Sequence, residues 1–492
     1  MRYGTRRLFF RALILTLLLV CQSVHDRIHA QCSGLPVLRV YVDGTFYSGM
    51  DYVNGMMQLT DTEGNVVELP ARFKVRGATA QNYMMKPSLN MKLRTDDYSE
   101  ELDSALLGIR SCSSWILDAM SIDRICMRNR VAFDIWNEFS RLPYDTEFGG
   151  RNGTEGSFVE VYINDEYYGI YDLTDRINRK LLNLKKTKTN EDGSVQIRGV
   201  LYKNGTTDIL EQEELSYNDD STACVIAWHN AWELTYPDEY GGKVAWTPLL
   251  DAFEEGQSAD FAKKYFFLEN LADYQILVMA LSISDNWGNK NHFLSVRNIN
   301  KDIDDQDPSE SDRRRFVISP WDLDTSLGGS FDGSCYNGSY YVFPLELFRY
   351  NGFYPYIWLL EDSEYEAVLK RRWTEVRNGA LSIESVNEKL EGYRDLFIES
   401  GAWQRMVDHY ELWSEKPLYV KDLAQEINLI EKWYVNRFHE MDAYFGIADG
   451  IEAISMPASS QNAVYDIWGR KVDSAVLSPG IYISDGNLFF AR

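Results

Sequence analysis

The stretch "SISDNWGNKNHFLSVRN" gathers Asp285, Asn286, Asn289, Lys290, Asn291 and His292 between a long apolar run and an alternating one. Short polar side chains in such numbers must be hydrogen-bonded or wet if the fold buries them. Downstream, "FVISPWDLDTSLGG" supplies Asp322 and Asp324 just before a glycine pair. A carboxylate can orient a hydroxyl or accept its proton. Carboxylate and Asn oxygens also suit Mg2+, a hard ion that prefers oxygen ligands. Upstream, "ARFKVRGATAQNYMMKPSLNMKLRT" carries Arg72, Lys74, Arg76, Lys86, Lys92 and Arg94 without one Asp or Glu. On a strand Arg72, Lys74 and Arg76 share a face, and Gly77 permits a turn whose backbone N–H groups point at an anion. The plain alternatives are a solvated basic edge strand for this stretch and a capping or turn role for Asp285.

The elements that must position these groups are readable around them. The apolar run before Asp285 reads as a buried helix, and "NHFLSVRN" and "RRFVISPWDLD" as strands joined by the acidic loop "INKDIDDQDPSESD". That loop lacks the regular spacing of a calcium loop and reads as a solvated insertion. His292 should point away from Phe293 and act as a structural hydrogen-bonder. His229, His409 and His439 show no metal spacing, and nothing matches H-E-x-x-H, G-x-S-x-G or a phosphate-binding Walker loop. From Leu38 to Leu93 short alternating runs predict strands. The segment "IDRICMRNRVAFDIWNEFSRL" predicts an amphipathic helix with Asp123 at its start. "GSFVEVYINDEYYGIYDLTDRI" predicts a hairpin turning at Asn164-Asp165. After Ala223 the pattern is mostly helical, with long helical runs over 365–377 and 418–444. Beyond Gly450 a Ser/Pro/Ala linker leads into short strands with Gly turns.

At 492 residues, with 45% hydrophobic and 14% aromatic content, the chain has ample material for a packed core. A formal net charge of -24 argues against nucleic acid as a partner and against adhesion to an anionic membrane surface. Arg2, Arg6, Arg7 and Arg11, the apolar run Ala12 to Cys21 and the small Ala30 have the layout of a secretory signal peptide. The run is too short to span a bilayer comfortably, so no stable transmembrane segment is expected after cleavage. Val20 is bulky where a lipidation signal usually carries a small residue, so the reading is an exported protein, secreted or at the cell surface, rather than a lipoprotein. Past Ala30, Cys32, Cys112, Cys126, Cys224 and Cys335 form an odd set without metal spacing, which reads as single buried thiols with one incidental bridge as the alternative.

An Asp with Asn residues close behind it, then two strands, then a second Asp beside a Gly-containing turn is the order of the kinase catalytic hairpin. The chain also resembles the CotH (spore coat protein H) type of atypical kinase. The resemblance rests on "KVRGATAQNYMMKPSLNMKL", "SSWILDAMSIDRICMRNRVAFDIW", "FVEVYINDEYYGIYDLTDRI", "GVLYKNG", and "DNWGNKNHFL" with "PWDLDTSLGG", in family order from about Leu38 to Tyr444. It implies an α+β, two-lobed atypical protein-kinase-like fold that uses ATP and Mg2+ (or Mn2+) to phosphorylate protein Ser or Thr hydroxyls. By position it implies Asp285 as the catalytic Asp, Arg76, Lys86 and Lys203 for the nucleotide, and Asn291, Asp322 and Asp324 for the metal. The chain departs from the family at Lys86-Pro87, where two Lys are common, and at Asp175, where a Glu is usual. The tail, "VYDIWGRKV" with "LSPGIYISDGN", resembles the C-terminal sorting modules of secreted Bacteroidetes proteins. The expected division is a signal peptide at 1–30, a β-rich part at 31–217, a mainly helical part at 218–447, and a linker with a small β sorting-like module at 448–492. The partner is a protein substrate or a surface-layer component. The competing reading is a non-catalytic surface binding or structural protein that keeps the fold. A glycan-processing reading rests on Trp and Tyr content alone, with no carboxylate pair to support it.

Overall fold

The computed structural model describes residues 34–44, 51–77, 86–144, 150–205, 232–237, 243–254, 258–286, 290–301, 314–330, 358–359, 361–409 and 419–447, and the tail strands 464–466, 471–472, 480–484 and 487–491. The signal-peptide reading, the turn after Gly77 and most of the acidic loop lie outside these residues. Among the described residues no helix is long and apolar enough to cross a membrane.

Seven strands, β1 (Val37–Val42), β2 (Val53–Thr60), β3 (Val66–Arg76), β4 (Ser88–Leu93), β5 (Ser114–Asp118), β6 (Gly156–Ile163) and β7 (Glu166–Thr174), close into a barrel in the order β1-β2-β3-β4-β5-β7-β6. The chain is thus α+β, as expected, but closure of this sheet is a feature the strand patterns did not reveal. Closure comes from a parallel pairing of β1 with β6, Val37 opposite Glu160, across more than a hundred residues of sequence. Alternation then sorts the side chains. Ala71, Phe73 and Val75 enter the barrel core with Leu38, Met57 and Leu173, while Arg72, Lys74 and Arg76 stay on the outer face. The basic run is not an edge strand, because β3 pairs with both β2 and β4. The β6–β7 hairpin turns at Asn164 and Asp165, whose φ values of 49° and 65° suit the Asn-Asp pair.

The expected helix after β5 is α1 (Arg128–Phe139), and it starts later than the apolar periodicity suggests. Asp123 sits ahead of it and accepts the N–H groups of Ile125, Met127 and Arg128, so the chain from Asp123 to Met127 is a capping loop and not a helical turn. β8 (Lys188–Thr189) and β9 (Val195–Gln196) form a two-stranded pair, and β10 (Val200–Gly205), β11 (Trp232–Tyr236), β12 (Lys290–Val296) and β13 (Phe316–Pro320) make a second sheet of order β11-β10-β12-β13. The helices are α2 (Lys243–Glu254), α3 (Ala259–Tyr265), α4 (Leu268–Leu281), α5 (Ser363–Val376), α6 (Ile383–Glu399), α7 (Ala402–Asp408) and α8 (Leu423–Tyr444). α4 is apolar around most of its surface and is buried against β13, α5 and α8. In the tail, β14 (Val464–Asp466), β15 (Lys471–Val472), β16 (Gly480–Ser484) and β17 (Asn487–Ala491) form an antiparallel sheet of their own. Cys112 and Cys126 are free and buried.

Candidate functional site

The second sheet delivers the carboxylates. β12 and β13 run antiparallel with His292 opposite Pro320, so the start of β12 and the residues after β13 emerge at one end. Asn286 braces that end. Its Nδ2 donates to the carbonyls of Asn291 (3.0 Å) and Trp321 (2.8 Å), and Trp321 N–H donates to Asn291 O at 2.9 Å. Asn291 and Asp322 both take left-handed backbone, φ 59° and 56°, which Asn and Asp tolerate better than other side chains. The turn types and the functional types therefore coincide here. The helix end that carries Asp285 is fixed independently: Arg437 on α8 donates to Met279 O, and Leu327 N–H to Leu281 O at 2.8 Å.

Asp285 faces Asn291 and Lys290. Asn291 Nδ2 donates to Asp285 Oδ2 at 3.0 Å, and Lys290 Nζ lies 3.0 and 2.7 Å from the two carboxylate oxygens. With its amide nitrogen spent on Asp285, Asn291 has Oδ1 left as its acceptor. Asp322 is open to water although protein surrounds it closely. That surrounding mass raises its carboxyl above the usual range; Asp118 and Asp285 push the same way, while Arg76 and Lys203 pull it down. Asp324 is raised further, by burial first and then by Asp322, Asp118, Asp123 and Asp285. Asp118, at the end of β5, is the barrel's contribution. It accepts from Ser88 Oγ (3.2 Å), Met120 N–H (3.1 Å) and Asn129 Nδ2 (3.0 Å), and Asn129 Oδ1 in turn holds the N–H of Leu323 at 2.9 Å. Asn129 thus ties α1 to both carboxylate-bearing segments.

Arg76 and Lys203 meet over Trp321, at 5.3 and 5.7 Å from its ring centroid. Arg176, just after β7, is near enough to interact electrostatically with both Arg76 and Lys203, and it hydrogen-bonds Tyr52. Burial lowers the Lys203 ammonium pKa, and Arg76 adds to that; the same two causes lower Arg176. The counter-charges in reach of Lys203 are Glu233 and Asp322. Among the described residues, no carboxylate lies within ion-pair distance of Arg76, Arg176 or Lys203. Asp175, the Asp in place of the family's Glu, is fully buried, bonded to Arg110 Nε (2.5 Å) and Arg151 Nη2 (3.3 Å). Arg110 also donates to Arg176 O at 3.1 Å, so this ion pair anchors the loop that presents Arg176.

Lys86 is placed differently. It is 2% exposed, its Nζ donates to the carbonyls of Ala119 (3.0 Å) and Ile170, and its ammonium lies 4.5 Å from the Tyr171 ring centroid. Burial lowers its pKa to about 8, with Cys126 and Asp118 opposing. His292 is the structural residue anticipated, fully buried between Trp232 and Tyr274, with burial lowering it to about 4. Asn289 lies outside the described residues.

The structure thus brings together Asp285, Asn291, Asp322 and Asp324 with Arg76 and Lys203, and sets Lys86 behind them. Sequence reasoning missed Asp118, Asn129, Arg176 and Lys290. All four lie in segments already singled out for their family likeness, Lys290 in the opening cluster as well. Among the described residues no group of three or more His, Cys, Asp or Glu side chains is gathered so as to hold a metal ion. Asp322 with Asn291 Oδ1 fits the sparse protein ligation of Mg2+, which keeps waters and substrate oxygens in its shell.

No curated protein matches the chain at a significant level. The family described as CotH kinase protein matches residues 73–441, from inside β3 to the last turns of α8. That span contains every site residue anticipated from the sequence and well over half of the 492 residues, and the chain belongs to the CotH kinase protein family.

Proposed function

We propose that this chain is an exported, ATP- and divalent-metal-dependent kinase of protein Ser or Thr hydroxyls, with the barrel and the helical part acting as the two lobes of a kinase-like fold. The observation that carries the reading is the meeting of three cations that have no ion-pair partner among the described residues, Arg76, Arg176 and Lys203, with the Asp322–Asn291–Asp285 group. Like charges held together in a protein of net charge -24 call for an anionic occupant, and the adjoining carboxylates exclude one that lacks a metal. A polyphosphate with Mg2+ satisfies both.

In this reading Arg76, Lys203 and Arg176 bind the phosphate oxygens, and Asp322 and Asn291 Oδ1, supported by Asp324, hold the divalent ion. When bound, that ion supplies charge neutralisation on the transferred group. Asp285 accepts the acceptor hydroxyl's proton as its oxygen bonds to the terminal phosphorus, and the bond to the leaving diphosphate breaks. Lys290, on the Asp285 carboxylate, fixes that carboxylate's orientation. Lys86 supports the site from behind by holding the backbone at Ala119, next to Asp118. The tail sheet serves as a sorting module.

Thermal unfolding of the mature protein with and without Mg-ATP tests the binding half. A ligand at about 100 times its dissociation constant stabilises by about 2.7 kcal/mol. Asp285→Asn should keep Mg-ATP binding and abolish transfer, whereas Asp322→Ala should weaken Mg-dependent binding too. If both variants bind like the parent and transfer survives, the reading is wrong. Mg-ATP binding with no transfer to any protein hydroxyl would select the non-catalytic alternative.

A further inference from the structure

The outer face of the barrel carries cations that the proposed phosphate site does not use. Arg72 and Lys74 share that face of β3, and Lys92 of β4 stands directly opposite Arg72 and so on the same face. They surround the Tyr52 ring, at 5.7, 5.9 and 5.1 Å from its centroid. Two carboxylates approach them without reaching hydrogen-bond length: Asp51 is 3.9 Å from Lys74 Nζ, and Glu101 is 3.9 Å from Lys92 Nζ and 4.0 Å from Arg94 Nη1. Among the described residues Arg72 has no ion-pair partner. Four cations thus face two loosely held carboxylates, in a chain whose net charge is -24. The side chains of Lys74 and Lys92 are 36% and 34% exposed, so the strip is open to a partner.

We infer that this strip is the docking surface for an acidic segment of the polypeptide whose hydroxyl is phosphorylated; the inference rests on the proposed function and names the substrate class of that site. Two polar atoms of the strip, Arg72 Nε and Asn90 Oδ1, are enclosed without a hydrogen-bond partner among the described residues, which native structures seldom leave without a reason. Asn90 stands opposite Lys74 on β4. Arg72 Nε needs an acceptor, and Asn90 Oδ1 needs a donor. A phosphate group supplies acceptors only, whereas a polypeptide with Asp and Glu side chains supplies carboxylate oxygens and backbone N–H groups together. The strip also leads to the right place. Arg76, on the same face of β3, meets Lys203 over Trp321 and acts on Asp322. From Arg72 to Arg76 is four residues of strand, about 13 Å. Acidic side chains seated on Arg72 and Lys92 therefore lie about four extended residues or more from the reacting hydroxyl.

The test is fluorescence anisotropy on the full chain, without nucleotide, using a synthetic peptide with Ser at its centre and Asp and Glu on both sides. The control is the same peptide with Lys at every acidic position. The parent should bind the acidic peptide more tightly, by roughly tenfold or more. The double variant Lys74→Glu, Lys92→Glu should remove that preference, with melting curves confirming the fold. Lys74→Gln with Lys92→Gln should reduce it in the same direction, and carries the test if the charge reversal unfolds the chain. Mg-tripolyphosphate, held beyond the strip on Arg76, Lys203 and Arg176, should lose no more than about threefold in either variant, through slower approach. Equal affinity of the parent for the two peptides overturns the assignment, and so does a folded variant that keeps the preference. An equal loss of peptide and Mg-tripolyphosphate overturns it as well, because the strip would then belong to the phosphate site. Peptide docking without any transfer from Mg-ATP would refute the kinase reading alone, and transfer to the acidic peptide with KM unchanged in the variants would refute the docking surface alone.

Discussion

Replacing Lys86 separates a lysine that binds ligand from one that braces the fold. The ammonium is buried, with donors directed at Ala119 O and Ile170 O, and burial brings its pKa from the ordinary 10.5 to about 8. Between about pH 8 and 10.5 the folded chain holds this amine neutral while the unfolded chain still carries its proton. The unfolded state then binds more protons, so stability rises with pH across that window. Below about pH 8 both states are charged, and the full cost of burying the charge is present. The interval from 10.5 to about 8, at 1.36 kcal/mol per pH unit, comes to about 3 kcal/mol. Lys86→Met keeps the length of the side chain but removes the titration. It also leaves two carbonyls without this donor, at a pH-independent cost of about 1–3 kcal/mol each if nothing replaces it. Urea unfolding of parent and variant from pH 7.5 to 10.5 should therefore show a stability difference that grows in the parent's favour by about 3 kcal/mol, all other lysines cancelling. Mg-tripolyphosphate affinity should barely change in Lys86→Met and should fall in Lys203→Met. A flat difference across the window refutes the buried-charge argument. A loss of triphosphate binding in Lys86→Met as large as that in Lys203→Met refutes its role as a brace.

Asp172 on β7 is buried beside Arg130, 3.8 Å away, and burial raises its carboxyl to about 7 despite that arginine. Here the folded state binds the extra proton, so stability falls as pH rises from about 4 to 7, and Asp172→Asn should gain on the parent by about 4 kcal/mol over that range in urea unfolding. A side-chain Cβ at Gly156 would meet Asp172 Oδ1 at 2.1 Å and Arg130 Nη1 at 2.9 Å; Gly156→Ala should therefore destabilise by about 1–3 kcal/mol, read as a lower melting temperature. The tail strands pair only with one another among the described residues, so truncation before Ile454 should leave the melting temperature of the remainder unchanged while altering where the protein is delivered.

The parts of the site that could be read in the sequence are those made by neighbours in the chain. Asp285, Asn291 and Asp322 are joined by one helix end and one hairpin, and a local order of residue types is enough to expect them together. The β6–β7 hairpin was legible for the same reason, its Asn164-Asp165 turn declaring itself by type. Asp118 was not, because its place beside Asp322 depends on how the barrel seats against the second sheet, and a strand-ending Asp has no local mark of that. Arg176 follows a buried ion pair and could pass for any arginine after a hairpin until Arg110 and Asp175 are seen to anchor its loop. Lys86 shows the converse failure. A lysine in a basic run is expected to reach for an anion, and only tertiary packing reveals that its amine is closed off by backbone carbonyls.

The overall charge gives the site a further character. A nucleotide approaching a chain of net charge -24 meets an overall repulsive field, locally opposed by Arg72, Lys74 and Arg76 on the outer face of β3 and by Lys203 and Arg176. Arg72, Lys74 and Lys92 all lie within 6 Å of the Tyr52 ring centroid, so the cations form a continuous strip from that ring to Trp321. The strip ends at carboxylates that raise one another's pKa, which means that the approaching phosphate is attracted along most of its path and opposed at the last step. In the proposed reading, a divalent ion would offset that last step by placing positive charge beside Asp322 and its neighbours. It follows that polyphosphate affinity here depends on two opposing electrostatic terms with different ranges. Screening by salt weakens the exposed strip, while an ion bound among the carboxylates, as proposed, would be screened less. Added salt should accordingly weaken Mg-tripolyphosphate binding mainly through slower association, and removal of the metal should act on the bound complex itself, as faster release.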